Sequence, residues 1–302
     1  MAKFQYGGQA VIEGVMMRGQ KEMAIAVQKN PEEIVIERQP LEPISKKYPV
    51  LGWPIIRGTV ALIESMVIGM KALTFSANTV GVEEEEELTT WEMVLTIAAA
   101  FGLAILLFVV TPVVVANFTR DLLGDFGRSA TEGILRVGLF IGYVMLIGRM
   151  KDISRVFQYH GAEHKVIHAY EAGDELTVEN AQKYSCLHPR CGTSFILIVL
   201  FLTIVVFTFV GQTGPLMRIA IKISLMPIIA GFAYELIKIS GKHAHQGWVK
   251  ILIAPGLWMQ KLTTKEPDEG QIKVAIEALN AVLEQEKQKD IGNEVERTCM
   301  TS

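Results

Sequence analysis

Long apolar runs separated by polar connections organise the middle of this chain. A helix needs about 20 apolar residues to cross the hydrocarbon core of a bilayer. Met93 to Ala116 exceeds that length and begins beside Trp91, a residue suited to the interface. Phe195 to Gly211 (FILIVLFLTIVVFTFVG) carries no charge. Gly133 to Gly148 is shorter, with Arg136 near its start and Arg149 and Lys151 closing it as an anchor. Ile219 to Ile239 carries Lys222 near one end and Glu235 and Lys238 near the other. Basic side chains near helix ends snorkel to the interface, whereas Glu235 should face protein or a cavity. The pattern predicts a polytopic α-helical membrane protein with about four transmembrane helices.

The flanking periodicities differ. Met23 to Val27 and Glu33 to Glu37 read as strands about the turn Gln28-Lys29-Asn30-Pro31, a small N-terminal β element. Pro40, Pro43, Pro49 and Pro54 make an extended connector. Ile55 to Ser76 has Arg57, Glu64 and Lys71 one or two turns apart, which predicts an amphipathic helix on the membrane surface. Glu83 to Glu87 reads as a solvated linker. Trp248 and Trp258 flank an apolar stretch broken by Pro255-Gly256, too short to cross and so interfacial or re-entrant. Ile272 to Glu286 is an amphipathic helix, and the residues after Asp290, Cys299 among them, read as a frayed tail. The expected division is a β element at 1–50, an amphipathic helix and acidic linker at 51–90, and a membrane domain at 91–241. That domain holds a central loop at 149–194; an interfacial segment and C-terminal helix occupy 242–302. The opening MAKFQYGGQAVIEG has no continuous apolar core of the signal-peptide kind. No internal repeat supports a two-halves transporter.

Charge orients this arrangement. Lys and Arg crowd the N-terminal stretch, the Arg149 to Arg190 region and the tail after Lys238. The positive-inside bias then places both termini and the central loop in the cytoplasm of a multi-pass cell-membrane protein. A net charge of −3 gives no electrostatic basis for nucleic-acid binding, and no G-x-x-x-x-G-K-[ST] string marks a nucleotide site.

Candidate chemistry lies in the connections. All six histidines fall in three patches: His160, His164 and His168 in YHGAEHKVIHAYE, His188 in SCLHPRCGTSF, and His243 and His245 in GKHAHQG. Imidazole and thiolate are the side chains that best bind zinc and its neighbours. In a reducing compartment, Cys186 and Cys191 are more often metal-binding or catalytic than bridged. His160 and His164, four apart on a helix, share a face and can bind one ion. Glu163 adjoins that face, and the string matches the H-x-x-E-H pattern of inverted zinc peptidases. His168 continues the stripe one turn on. Cys186, His188 and Cys191 can supply further ligands from a short loop, and His243 can join from the third patch. The alternative for each patch is a polar surface that binds no ion.

Five strings in order, GGQAVIEGVMMRG, LIESMVIGMKAL, YHGAEHKVIHAYE, HPRCGTSF and PGLWMQKLTTKEP, resemble the YqhQ family of bacterial membrane proteins. That family is labelled as of unknown function or as a predicted metal-dependent enzyme. The resemblance implies His160, His164, His188 and Cys191 as first-choice ligands of a divalent ion, expected to be zinc, with Glu163 as catalytic base. Cys186 lies just outside the HPRCGTSF string, and His168 and His243 stay as further candidates. The Gly-rich segment resembles one that folds back on the central loop, with Glu13 and Arg18 offering charges. The expected function is a metal-dependent membrane protein, a hydrolase acting on a peptide or lipid-like substrate at the cytoplasmic face of a bacterial inner membrane. Its expected partners are membrane lipid and a protein at the cytoplasmic face, with no nucleic acid and no nucleotide cofactor. Two alternatives stand beside it. One is a non-catalytic scaffold or biogenesis factor whose cap a structural metal staples; the other is a transporter using Glu235 and Lys222.

Overall fold

The computed structural model describes residues 6–41, 44–81, 89–209, 214–242 and 246–300. The chain opens with four strands, β1 (Gly7–Val11), β2 (Gly14–Arg18), β3 (Glu22–Asn30) and β4 (Glu33–Pro40), in one antiparallel sheet of order β1-β2-β3-β4. Side chains alternate between its faces. Val15, Met17, Ala24 and Ala26 point to one core, and Val11, Met16, Ile25 and Val27 to the other. The β element is therefore larger than the two strands expected, because GGQAVIEGVMMRG is itself the β1–β2 hairpin. Glu13 at its tip adopts φ 49°, a left-handed conformation the tight turn requires.

Helices follow: α1 (Ile44–Lys47), α2 (Ile56–Val80), α3 (Thr90–Ile105), α4 (Thr111–Asn117), α5 (Arg120–Ile147), α6 (Lys151–Ala172), α7 (Val178–Gln182), α8 (Gly192–Thr208), α9 (Pro215–Lys242), α10 (Gly247–Thr263) and α11 (Glu269–Met300). One π turn, Leu106–Val110, joins α3 to α4, and α5 kinks at Gly124, whose φ is 65°. Four segments are long and apolar enough to cross a membrane: Ile56–Val80, Val94–Asn117, Phe126–Ile147 and Leu216–Ile239.

Two of these assignments differ from the sequence reading. The run from Phe195 belongs to α8, which has 17 residues and starts only after Cys191, so it falls short of the other spans. α2, expected as an amphipathic helix on the membrane surface, is 25 residues long, apolar enough to span, and packs on α9 and on the sheet. Its first half crosses α9: Gly231 lets the Ile55 backbone approach so closely that a Cβ there would overlap the Ile55 carbonyl. Arg57 forms a two-point ion pair with Glu235 at 2.6 and 2.5 Å, so the carboxylate does face protein. The second half of α2 lies on the sheet through Ala72, and the Ser76 hydroxyl donates to the Ile12 carbonyl. The polar positions that suggested an amphipathic stripe are consumed locally: Glu64 accepts the Ile44 N–H at 2.6 Å.

The central loop is mostly α6, and α10 runs unbroken through Pro255. α11 continues to Met300, past its expected end. One sheet face, α6 and α11 enclose the main core of Tyr159, Val166, Ile167, Ile272, Leu279 and Val282. Glu83 to Glu87 and His243 to His245 lie outside the described residues.

Candidate metal centre

α6 carries the densest chemistry and is well specified. Asp152 sits in its first turn, favourable to the helix dipole, and Gly173 ends it with φ 84°. His160, His164 and His168 recur every fourth residue and line one face. Opposite that face lies the loop into α8, with Cys191 as the residue preceding the helix.

The first and second patches meet. Ligand atoms of His160, His164 and Cys191 lie within 4.8 Å of one another. The His160 Nε2 is 3.2 Å from the Cys191 Sγ, and the two imidazole centroids are 4.4 Å apart. Each ring is anchored from behind. His160 Nδ1 is 2.8 Å from the Thr263 carbonyl oxygen, and His164 Nδ1 is 2.5 Å from that of Cys186. A carbonyl oxygen only accepts, so in the neutral ring each Nδ1 carries the hydrogen and each Nε2 keeps its lone pair. Backbone anchoring of this kind fixes tautomer and direction in metal-binding histidines. The donor set therefore fits a zinc-class ion: two oriented imidazole nitrogens and one thiol sulfur. Burial pushes the His164 imidazole below its ordinary range, keeping it neutral.

Glu163 lines the same cavity of about 510 Å³ with His160, His164, His188 and Cys191. It is buried, and the Gly8 amide of β1 donates to its Oε1 at 2.9 Å. Desolvation pushes its carboxyl up, partly offset by the nearby His160 and His188 rings and the Gly8 bond. The Gly-rich segment thus folds back on α6 as the sequence suggested, but Glu13 pairs with Arg155 of α6 and not with Arg18.

Three other candidates are engaged differently. His188 groups with His168 and Glu171, their ligand atoms also within 4.8 Å. Its Nδ1 accepts the Arg190 amide at 3.3 Å, so its Nε2 holds the hydrogen, 3.6 Å from a Glu171 oxygen. Glu171 is further engaged by the Arg190 guanidinium. That arrangement is a histidine–carboxylate pair beside the first group, and it leaves His188 protonated on the nitrogen that would bind an ion. His168 Nε2 is held 3.0 Å from the Leu187 carbonyl, and burial lowers both of these imidazoles. The Cys186 thiol turns away to the Lys265 carbonyl at 3.8 Å, and burial pushes it up to about 11, which keeps it protonated and a poor ligand.

The sequence reading missed the supports. Gln260 of α10 accepts the His188 amide at 2.7 Å and donates to the His188 carbonyl at 2.8 Å, clamping the loop. Thr193 donates to Cys191 Sγ at 3.3 Å. Gln260, Thr263 and Lys265 all lie in PGLWMQKLTTKEP, a string noted for resemblance alone, and its recurrence beside histidine strings was the available signal.

Residues 53–285 match the family described as "Protein of unknown function (DUF1385)". Over 293 residues the chain is 37% identical to the "Uncharacterized protein YqhQ" of Bacillus subtilis (strain 168), with 92% of each chain covered. No solved structure is significantly similar. The chain belongs to the DUF1385 family of proteins of unknown function and is a relative of YqhQ.

Proposed function

We propose that the chain is a multi-pass membrane metalloprotein whose cytoplasm-facing site holds a divalent ion of the zinc class through His160, His164 and Cys191. The observation that carries this reading is the pair of histidines whose Nδ1 atoms are tied to the Thr263 and Cys186 carbonyls while their ligand atoms gather with the Cys191 Sγ. Three protein ligands opening on a cavity are the pattern of catalytic rather than closed structural sites. A bound ion supplies Lewis acidity, polarising a substrate carbonyl or phosphoryl group and acidifying water. Glu163 then serves as the general base, its carboxyl held above its ordinary range by desolvation. Gly8 orients its carboxylate, which is buried at the wall of the cavity. The proposed reaction is hydrolysis of a peptide or lipid-like substrate at the membrane surface. The basic stretches around α6 and after Lys238 support placing this face, with both termini, in the cytoplasm.

One observation favours a structural metal instead. The ligands and their anchoring carbonyls come from α6, the loop into α8 and the end of α10, so an ion there staples three elements. Transport has weaker support, since Glu235 and Lys222 both stand in ion pairs.

The test is elemental mass spectrometry on the detergent-purified chain, wild type beside His160→Ala/His164→Ala and Glu163→Gln. About one equivalent of metal, lost in the double variant, supports the site. Hydrolysis lost in Glu163→Gln with metal retained supports the enzyme. Full metal and stability with no hydrolysis of peptide or lipid-ester panels by the wild type selects the staple. Wild type that stays metal-free after anaerobic purification and reloading removes both.

A further inference from the structure

The cavity beside the candidate metal ligands has two unlike walls. His160, Glu163, His164, His188 and Cys191 make a polar side, and Val156, Phe157, Ile167 and Ile196 an apolar one. Its volume of about 510 Å³ suits a small ligand or one end of a larger one. The apolar wall leads outward. Ile196 stands one turn beyond Gly192 on α8 and is 40% exposed although it lines the cavity. Gly192, Ile196 and Leu200 recur every four residues, so this wall continues as a track along a helix that carries no charge from Gly192 to Thr208.

The polar wall offers donors to an anion. α8 begins at the cavity, with Gly192 and Thr193 in its lining. The first amides of a helix have no intrahelical acceptor, and Cys191, which precedes them, supplies no side-chain cap. Those amides and the positive end of the helix dipole favour negative charge. A second donor stands there independently. His188 Nδ1 accepts the Arg190 amide, so its Nε2 carries the hydrogen. His188 is 4% exposed and lines the cavity, and its Nε2 has no hydrogen-bond partner among the described residues. The Glu171 carboxylate stays 3.6 Å from it and is engaged by Arg190. A buried N–H without an acceptor costs stability that a ligand oxygen would return. A third wall is β1, an edge strand of the sheet. An extended peptide would pair with such an edge through its backbone, but the Gly8 amide is already spent on Glu163.

We propose that the cavity takes the phosphate-bearing end of a membrane phospholipid. The phosphate rests on the α8 N-terminus and the His188 N–H, and the first carbons of the tail pass over Phe157 and Ile196 towards the bilayer. This deepens the metal reading by naming its substrate class, and it rests on that reading only for the ion. Cys191 immediately precedes α8, so phosphate and metal ligand fall at neighbouring residues.

The test uses the full chain, purified in detergent and delipidated, with its zinc content measured on the same samples. Native mass spectrometry titrates it with dioctanoyl phosphatidic acid, and with inorganic phosphate and dioctanoylglycerol as the head and tail alone. Phosphatidic acid should bind at one equivalent, at least tenfold tighter than either part. His188→Phe, which removes the donor at similar volume, and Gly192→Leu, which places a side chain at the cavity wall, should each weaken it roughly tenfold with zinc content unchanged. Nothing lies within 4 Å of a Cβ at Gly192, so Gly192→Leu carries the test alone if His188→Phe does not fold. Dioctanoylglycerol binding as tightly overturns the role of the phosphate, and inorganic phosphate binding as tightly overturns that of the apolar wall. Phosphatidic acid binding untouched by Gly192→Leu places the lipid elsewhere, and retention of extended peptides in place of phosphatidic acid assigns the cavity to a peptide; each overturns the proposal. Zinc present with no phosphatidic acid bound removes this inference and leaves the metal reading. Phosphatidic acid bound as expected by a chain that stays zinc-free after reloading does the reverse.

Discussion

Gly161→Ala tests how the far end of the chain orients the histidines. Gly161 lies in α6 between His160 and Ala162, where the segment after α10 crosses the helix. A Cβ there would fall well inside 3.0 Å of the Lys265 carbonyl oxygen and 3.2 Å from the Cys186 Sγ. Backbone cannot rotate out of the way, so the 263–265 segment has to retreat by about 1 Å or α6 has to shift. Two of that segment's bonds to α6 lie beside Gly161: the Lys265 amide to the Phe157 carbonyl at 2.9 Å, and the His160 Nδ1 to the Thr263 carbonyl at 2.8 Å. A displacement of that size stretches both past useful length. Losing them costs about 1 kcal/mol each, overpacking adds about 1–3 kcal/mol, and the helix propensity of Ala returns about 1 kcal/mol. The net loss is about 2–4 kcal/mol, or roughly 5–10 °C in Tm for a chain of this size. Because the His160 tautomer loses its anchor, metal affinity should also fall about 10–100-fold. The assay is thermal unfolding and competitive zinc titration in detergent, with Gly138→Ala as control, since nothing lies within 4 Å of a Cβ at Gly138. A Gly161→Ala chain with wild-type Tm and affinity refutes the packing argument. Lower Tm with unchanged affinity refutes the role given to the Thr263 carbonyl.

Other expectations follow from the same structure. Gly231→Leu should separate α2 from α9, because its side chain would occupy the space of the Ile55 backbone, and lower Tm in detergent more than Gly138→Leu does. Arg57→Leu should destabilise by leaving Glu235 without its cation, and Arg57→Leu/Glu235→Leu should recover most of the loss; no recovery would show that the pair is not coupled. The metal-stripped chain should lose stability on acidification. Burial holds His164, His168 and His188 below the ordinary imidazole range near 6.5, so below that pH the unfolded chain takes up protons that the folded chain refuses. Glu163 acts with the opposite sign, its raised carboxyl costing stability as pH rises above 4.5, but one carboxyl opposes three imidazoles. Chemical unfolding between about pH 7.5 and 5.5 should show a falling stability, shallower in His168→Asn, and a flat profile would contradict the burial argument.

The parts legible in the sequence are those fixed by local spacing. The four-residue interval of His160, His164 and His168 needs only a helix to align three rings, and the apolar run from Met93 needs only length. What stayed hidden depends on long-range packing. Nothing near His160 says that a carbonyl a hundred residues later will set its tautomer. Nothing near Cys186 says that its thiol will turn to Lys265 while its carbonyl serves His164. The contacts of α2 were hidden for a related reason. Periodic Arg57, Glu64 and Lys71 look like a solvated stripe until Glu235 and the Ile44 amide are seen to engage the first two.

The same distinction separates the candidate metal centre from the ion pairs buried between α5 and α9. The candidate centre's histidine rings are oriented by backbone carbonyls from distant segments, so its geometry should be sensitive to small displacements and its loss should leave the helix bundle standing. The ion pairs of Glu132 with Arg136, Arg218 and Lys222 are made by side chains already in register on α5 and α9, which pack through α8. α8 links the two, since Cys191 precedes its first turn and the Phe207 carbonyl near its end meets Arg218. A rigid helix with one end at a metal ligand and the other at a charged cluster can pass a small axial shift from one to the other. If it does, Lys222→Met, which removes one cation from Glu132 at the far end of α8, changes zinc affinity at the candidate centre. Zinc affinity indifferent to Lys222→Met in a chain that folds and melts cooperatively would show that α8 passes nothing between its two ends.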